Sequence, residues 1–201
     1  MSLTATRKPY PPFAEAIWPH IDRRGEIVLI LIGSWLVALT AQLVVPLWPV
    51  PITGQTFGVL LVGAILGSKR GALALLTYLA QGAIGLPVFA GGTGGIARFM
   101  GPTGGYLIGF IIAAFVVGWL SEQGWDRRFT TTVLAMLIGN MVIYACGIPR
   151  LATFVGWETV LKVGLFPFVV GDLLKIILAA VTLPQAWAWA NIKSTKGSTS
   201  R

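Results

Sequence analysis

Residues 104–120 read GGYLIGFIIAAFVVGWL, a run without a charge or a proline. As a helix rising 1.5 Å per residue it is about 25 Å long, within reach of the 17–25 or so residues that a bilayer span needs. Similar runs fill most of the chain. Of its 201 residues 55% are hydrophobic and 11% charged, and the mean hydropathy is +0.79. A soluble fold of this size would have to hide that surface in one small core, whereas a lipid bilayer solvates it directly. The chain therefore reads as an all-α membrane protein.

Working outward, six transmembrane helices are expected, at residues 27–45, 51–67, 71–85, 104–120, 129–147 and 165–189. The second and third are short and can equally form a re-entrant hairpin, which returns the chain to the same side. Arg7, Lys8, Arg23, Arg24, Lys69, Arg70, Arg127, Arg128, Lys193, Lys196 and Arg201 then fall on one side; Arg98, Arg150 and Lys162 fall on the other. The positive-inside rule makes the first side, with both termini, cytoplasmic. The net charge of +8 is thus spread over loops between apolar runs, so nucleic acid is not an expected partner. Trp48, Trp119, Trp125, Trp157, Trp187 and Trp189 fall near span ends, as an interfacial aromatic belt would. The expected layout is a cytoplasmic N-terminal segment (1–26), a six-helix membrane domain (27–190) and a disordered cytoplasmic tail (191–201). No small-residue cleavage site follows the first run, so it reads as a retained helix rather than a signal peptide.

Several chemistries lack their residues. Cys146 and His20 each occur alone, which argues against a disulfide, a metal site or Cys-His catalysis. No phosphate-binding loop of the G-x-x-x-x-G-K-[ST] type is present, nor H-E-x-x-H or G-x-S-x-G. No cofactor is expected. The match of Gly92-Thr93-Gly94-Gly95-Ile96-Ala97 to a dinucleotide fingerprint carries nothing, because that motif needs a preceding strand.

Polar residues inside the apolar runs mark the candidate site. Asp172 and Lys175, in Val170-Gly171-Asp172-Leu173-Leu174-Lys175, share one helix face about 10–15 Å below the outer surface. Charges at that depth face a bundle interior or a cavity. They form either a ligand site or an ion pair that ties helices together. Asn140 lies at similar depth in the fifth span, as a ligand contact or an interhelical hydrogen bond. The outer loop Leu86-Pro87-Val88-Phe89-Ala90-Gly91-Gly92-Thr93-Gly94-Gly95-Ile96-Ala97-Arg98 is glycine-rich, which permits positive φ and close backbone approach. Its one charge, Arg98, suits a carboxylate, unless the loop is simply solvated. Gln55, Gln81 and Tyr106 add polar groups near the outer ends of their spans, while the cytoplasmic halves read as almost purely apolar. The pattern describes an outward-facing pocket without a polar path through the membrane. In the first span Gly33, Ser34, Ala38 and Ala41 make a small-residue face, for packing inside the bundle or against a partner helix.

Four motifs, in order, carry a resemblance: Pro51-Ile52-Thr53-Gly54-Gln55-Thr56-Phe57; Gly82-Ala83-Ile84-Gly85-Leu86-Pro87-Val88-Phe89-Ala90-Gly91-Gly92; Gly101-Pro102-Thr103-Gly104-Gly105-Tyr106; and Gly171-Asp172-Leu173-Leu174-Lys175. Over residues 27–190 the chain resembles the biotin-specific S components (BioY) of energy-coupling factor (ECF) transporters. The resemblance implies a six-helix S-component fold in the bacterial plasma (inner) membrane and a biotin pocket that includes Asp172 and Lys175. It also implies partners, one membrane T component and two cytoplasmic ATPases. The family's first helix meets the T component through Ala-x-x-x-Ala, where this sequence has Ser34 and Ala38. Biotin has two ureido N–H donors for Asp172, a ureido oxygen for Lys175 or Asn140, and a carboxylate for Arg98. The expected function is capture of biotin for uptake driven by an ATP-hydrolysing module, not catalysis. The alternatives are a solitary or ion-coupled carrier and, more distantly, an intramembrane lipid-modifying enzyme.

Overall fold

The structure, a computed structural model, describes residues 10–198, with side chains described to residue 190. In chain order come α1 (Phe13–Ile17), α2 (Arg23–Ala41), the two-residue strands β1 (Val44–Val45) and β2 (Ile52–Thr53), and α3 (Gln55–Leu66). Then follow α4 (Ser68–Ala83), α5 (Ala97–Met100), α6 (Gly104–Glu122), a 3-10 turn (Trp125–Arg127), α7 (Phe129–Val155), α8 (Trp157–Gly164) and α9 (Phe166–Ser198). Among the described residues, four apolar stretches are long enough to cross a membrane: Arg23–Ala41, Gly104–Glu122, Phe129–Val155 and Trp157–Ala190. α3 and α4 have 12 and 16 residues, about 18 and 24 Å; α3 is shorter than the expected second span, whereas α4 begins and ends two to three residues before the expected third. α9 is helical to Ser198 where a disordered tail was expected from residue 191; residues 199–201 and 1–9 lie outside the described residues.

Local chemistry sets the boundaries. The Asp22 carboxylate caps α2 by accepting from Gly25 N–H at 2.8 Å. Gly67, at φ +83°, makes the sharp turn between α3 and α4 that a residue with a Cβ resists. α6 runs through the middle and packs on α3, α4 and α7. It gets close because small residues meet there. A Cβ on Gly63 would stand 2.6 Å from the Ala114 carbonyl oxygen. Such close approach supplies the dispersion contacts that hold membrane helices together, since lipid and leucine are equally apolar. β1 and β2 form an antiparallel hairpin, Val44 opposite Thr53, at one end of the bundle.

α2 corrects one expectation. Ser34 and Ala38, assigned to a partner contact, are buried inside this chain at 0% and 4% exposure, as are Gly33 and Ala41. A Cβ on Gly33 would touch Leu66 at 2.9 Å and Ala74 at 3.1 Å, so this face packs on α3 and α4. The outward side carries Ile32, Trp35 and Leu39 instead.

The end bearing the basic loops is also less apolar than expected. Trp187, placed in the aromatic belt by its position in sequence, is buried; its Nε1 donates to Asp126 at 2.6 Å and its ring meets Phe13 edge-on at 5.2 Å. Burial raises the Asp126 carboxyl to about pKa 6, against the opposing pull of the Trp187 donor and the Arg127 charge. Glu122 accepts from Ser68 N–H and Oγ at 2.8 Å, and Arg70 bridges Glu15 and Glu26 at 2.7 and 2.9 Å. The Arg70–Glu15 bridge, with Tyr10 N–H donating to the Glu122 carbonyl oxygen at 2.7 Å, fastens residues 10–17 onto the bundle.

Ser34→Trp or Ala38→Trp is expected to overpack this interior, costing about 1–3 kcal/mol or more. Thermal unfolding in detergent should drop and ligand binding should fall with it. Leu39→Trp, at an exposed position on the same helix, should leave both unchanged.

Candidate functional site

An apolar-walled cavity of about 370 Å³ lies at the end of the bundle that carries the β1–β2 hairpin. That volume falls in the range of small-molecule sites. Its floor begins at α9. Asp172 and Lys175 lie one turn apart, with Nζ to Oδ1 at 3.0 Å. Lys175 Nζ also donates to the Thr53 carbonyl oxygen and to Thr56 Oγ1, each at 2.9 Å. Thr56 Oγ1 in turn donates to Asp172 Oδ1 at 3.2 Å, and the Tyr144 hydroxyl donates to Oδ2. Three elements, α3, α7 and α9, therefore converge on one carboxylate. An ammonium carries three donors and here has three acceptors; a carboxylate has about four acceptor positions, of which three are engaged. Charges buried in an apolar bundle stand only when satisfied in this way.

The walls are aromatic and aliphatic: Phe89, Phe110, Phe168, Tyr106 and Ile143. Phe89 is fixed edge-on between Tyr78 and Phe99, at centroid distances of 5.5 and 5.8 Å. Tyr106 is anchored by donating to the Gly164 carbonyl oxygen at 2.9 Å. A chain of bonds holds the loop of residues 86–98 in place: Gln55 Nε2 donates to the Tyr78 hydroxyl at 2.6 Å, which donates to the Val88 carbonyl oxygen at 3.1 Å. Gln42, at the end of α2, accepts from Gly92 N–H at 2.9 Å and donates to the Ala38 carbonyl oxygen at 3.0 Å. Gly91 and Gly92 take φ +69° and +67°, the left-handed conformations that glycine-rich sequence permits. Arg98, exposed on α5, stands at the rim.

Of the residues singled out by sequence, Gln55, Phe89, Arg98, Tyr106 and Lys175 line the cavity, and Asp172 lies directly behind its floor. Gly91 and Gly92 shape the loop without lining it, and Gln81 lies elsewhere on α4. Asn140 is buried at 6% exposure with an unpaired Oδ1. It faces a separate space of about 10 Å³ shared with Thr56 and Lys175, so it sits below the floor rather than in the cavity. Thr56 and Tyr144 were missed. Thr56 stood inside a quoted motif, and Tyr144 follows Asn140 by four residues, the spacing that puts both on one helical face.

The chain is similar to known proteins over most of its length. A family model, the BioY family, matches residues 17–192. The chain is 43% identical over 156 residues to a probable biotin transporter BioY of Pyrococcus horikoshii, covering 78% of this chain and 92% of that protein. It is 45% identical over 141 residues to the biotin transporter BioY of Rhizobium etli, covering 66% and 75%. Among solved structures it resembles the S-component for biotin from an ECF-type ABC transporter, with TM-score 0.70 and 29% identity, over 81% of this chain and 90% of that one.

Asp172→Asn removes the counter-charge of a largely buried ammonium and is expected to destabilise the protein by about 3–5 kcal/mol. Adding Lys175→Met should recover most of the loss, because the uncompensated charge goes with it. Melting temperatures of the two variants in detergent test this; equal melting would show that the pair does not support the fold.

Proposed function

This chain belongs to the BioY family, and on that premise we propose that it is the biotin-capturing S component of an ECF transporter. The observation that carries the reading is the cavity itself: a charged, hydrogen-bonding floor, aromatic walls and a cationic rim. Those three regions match the three parts of biotin, a polar ureido head, an apolar ring and chain, and a carboxylate. The ureido oxygen takes a Lys175 donor in place of one of its present acceptors, one ureido N–H takes the remaining acceptor position of Asp172, and the carboxylate takes Arg98. Tyr144 and Thr56 share the same oxygens, so they set the geometry in which the head is received.

The family is one of transporter subunits, not of enzymes, and the site supports this from its own chemistry. Lys175 is held in an ion pair with Asp172 on its own helix, an arrangement that serves to receive a polar head without a bond being broken. We read the chain as six membrane helices in the bacterial plasma (inner) membrane with both termini in the cytoplasm, following the distribution of Lys and Arg. Uptake energy then comes from partners, a membrane T component and two cytoplasmic ATPases.

The purified chain is expected to bind biotin in detergent without nucleotide, as saturable heat in calorimetry. Arg98→Ala should weaken biotin about tenfold, the equivalent of one charge-assisted contact. Its effect on the carboxamide of biotin should stay within about twofold, because that ligand has no anion for the guanidinium. No saturable binding by the native chain would overturn the reading; equal losses for both ligands would remove Arg98 from the carboxylate end.

A further inference from the structure

A second cavity, about 340 Å³, opens at the other end of the molecule beside the Trp125–Arg127 turn. Gln123, Trp125, Arg127, Arg128 and Thr131 contribute to its lining, and Tyr10 closes one side. No part of the biotin reading uses it.

Its centre is Arg127. The guanidinium lies 4.3 Å from the ring centre of Tyr10 and 3.9 Å from that of Trp187, so it is stacked against two aromatic rings. A guanidinium has five N–H donors, all in its plane, and stacking satisfies none of them. Arg127 Nε is shielded from solvent and has no hydrogen-bond acceptor among the described residues. A desolvated donor on a charged group, left unpaired, is costly and calls for a ligand. The adjacent carboxylate makes no hydrogen bond to it: Asp126 gives one oxygen to Trp187 Nε1, its other oxygen is buried without a hydrogen-bond partner among the described residues, and it does not line the cavity. Arg128 adds a second, exposed cation. The amino end of α7 lies here too, with Arg128 at its N-cap and no side chain capping it, so the helix adds positive potential. The Thr131 hydroxyl is already committed, donating to the Trp125 and Arg128 carbonyl oxygens at 2.7 and 3.1 Å. The ligand chemistry is therefore that of an anion with several acceptor oxygens, and a phosphate fits the planar fork of arginine.

Placement selects the source. The turn joins α6 to α7, two helices long and apolar enough to cross the bilayer, so the cavity lies where a span meets the headgroups. Trp125 and Tyr10 beside it have the amphipathic rings favoured at that level. Basic pockets at helix ends on the cytoplasmic leaflet are suited to anionic lipid headgroups. We propose that this cavity binds the phosphate of an anionic phospholipid, with Arg127 as the principal ligand and Arg128 in support. The lipid then occupies the point where Tyr10, the 3-10 turn and α9 meet, the same point that fastens the N-terminal segment to the bundle.

The test uses the full chain in a neutral detergent, titrated separately with phosphatidylglycerol, phosphatidylcholine and inorganic phosphate. Melting temperature and lipid retention in native mass spectrometry are the readouts. Phosphatidylglycerol should raise the melting temperature saturably and remain bound; phosphatidylcholine and inorganic phosphate at the same concentrations should do neither. Arg128→Gln, at an exposed position, should raise the half-saturating lipid concentration about tenfold, with the lipid-free melting temperature and biotin binding unchanged. Arg127→Lys, which keeps the charge but loses the fork, should weaken the lipid further. Equal stabilisation by phosphatidylcholine would show a bulk lipid effect and overturn the proposal. Equal stabilisation by inorganic phosphate would make this a site for a soluble anion and overturn the lipid assignment. So would half-saturation unchanged in both variants.

Discussion

A carboxylate and an ammonium placed within an apolar helix must be neutralised and hydrogen-bonded by their neighbours, and much of this structure follows from meeting that demand at Asp172 and Lys175. The Thr53 carbonyl oxygen and Thr56 Oγ1 are drawn in from the start of α3, and the Tyr144 hydroxyl from the middle of α7. Because those groups sit on different elements, satisfying the pair fixes α3, α7 and α9 relative to one another. It also leaves polar edges facing a cavity walled by aromatic rings. The arrangement that makes the charges tolerable in a membrane is thus the one that makes a polar-headed ligand welcome.

Around that centre the packing is done by absence of side chains. Gly63 on α3 and Ala114 on α6 let two helices approach within backbone contact. Gly147 on α7 lies against the ring of Tyr106 on α6. The same device serves two purposes. At Gly63 close approach brings the backbones of α3 and α6 together; at Gly147 an aromatic ring resting on a glycine fixes Tyr106 as a wall of the cavity.

Much of this was legible in sequence, for identifiable reasons. Charges inside apolar runs are rare enough that Asp172 and Lys175 stood out, and the glycine-rich loop announced its left-handed backbone. The direction in which a helix faces was harder to read. Ser34 and Ala38 are small whether they meet a neighbouring helix of the same chain or of another, and lipid supplies no polarity contrast to choose between them. Trp187 failed similarly: a tryptophan near a span end suits the membrane interface, unless a buried carboxylate such as Asp126 waits for its N–H. Tyr144 was overlooked because a tyrosine in an apolar run passes for hydrophobic until its hydroxyl has a partner. These are long-range pairings, separated by 61 and 28 residues, and local pattern does not contain them.

Gln42 links two parts of the molecule that sequence treats as unrelated. Its side-chain oxygen holds the loop over the cavity at Gly92, and its nitrogen holds the last turn of α2 at Ala38. The covering loop cannot lift away without breaking the first bond or pulling the end of α2 along. The opposite face of that helix presents Trp35 and Leu39 to the surroundings of the bundle. One glutamine is thus the joint between the loop beside the cavity and a helix whose other face is exposed, so the two share a single mechanical fixing point.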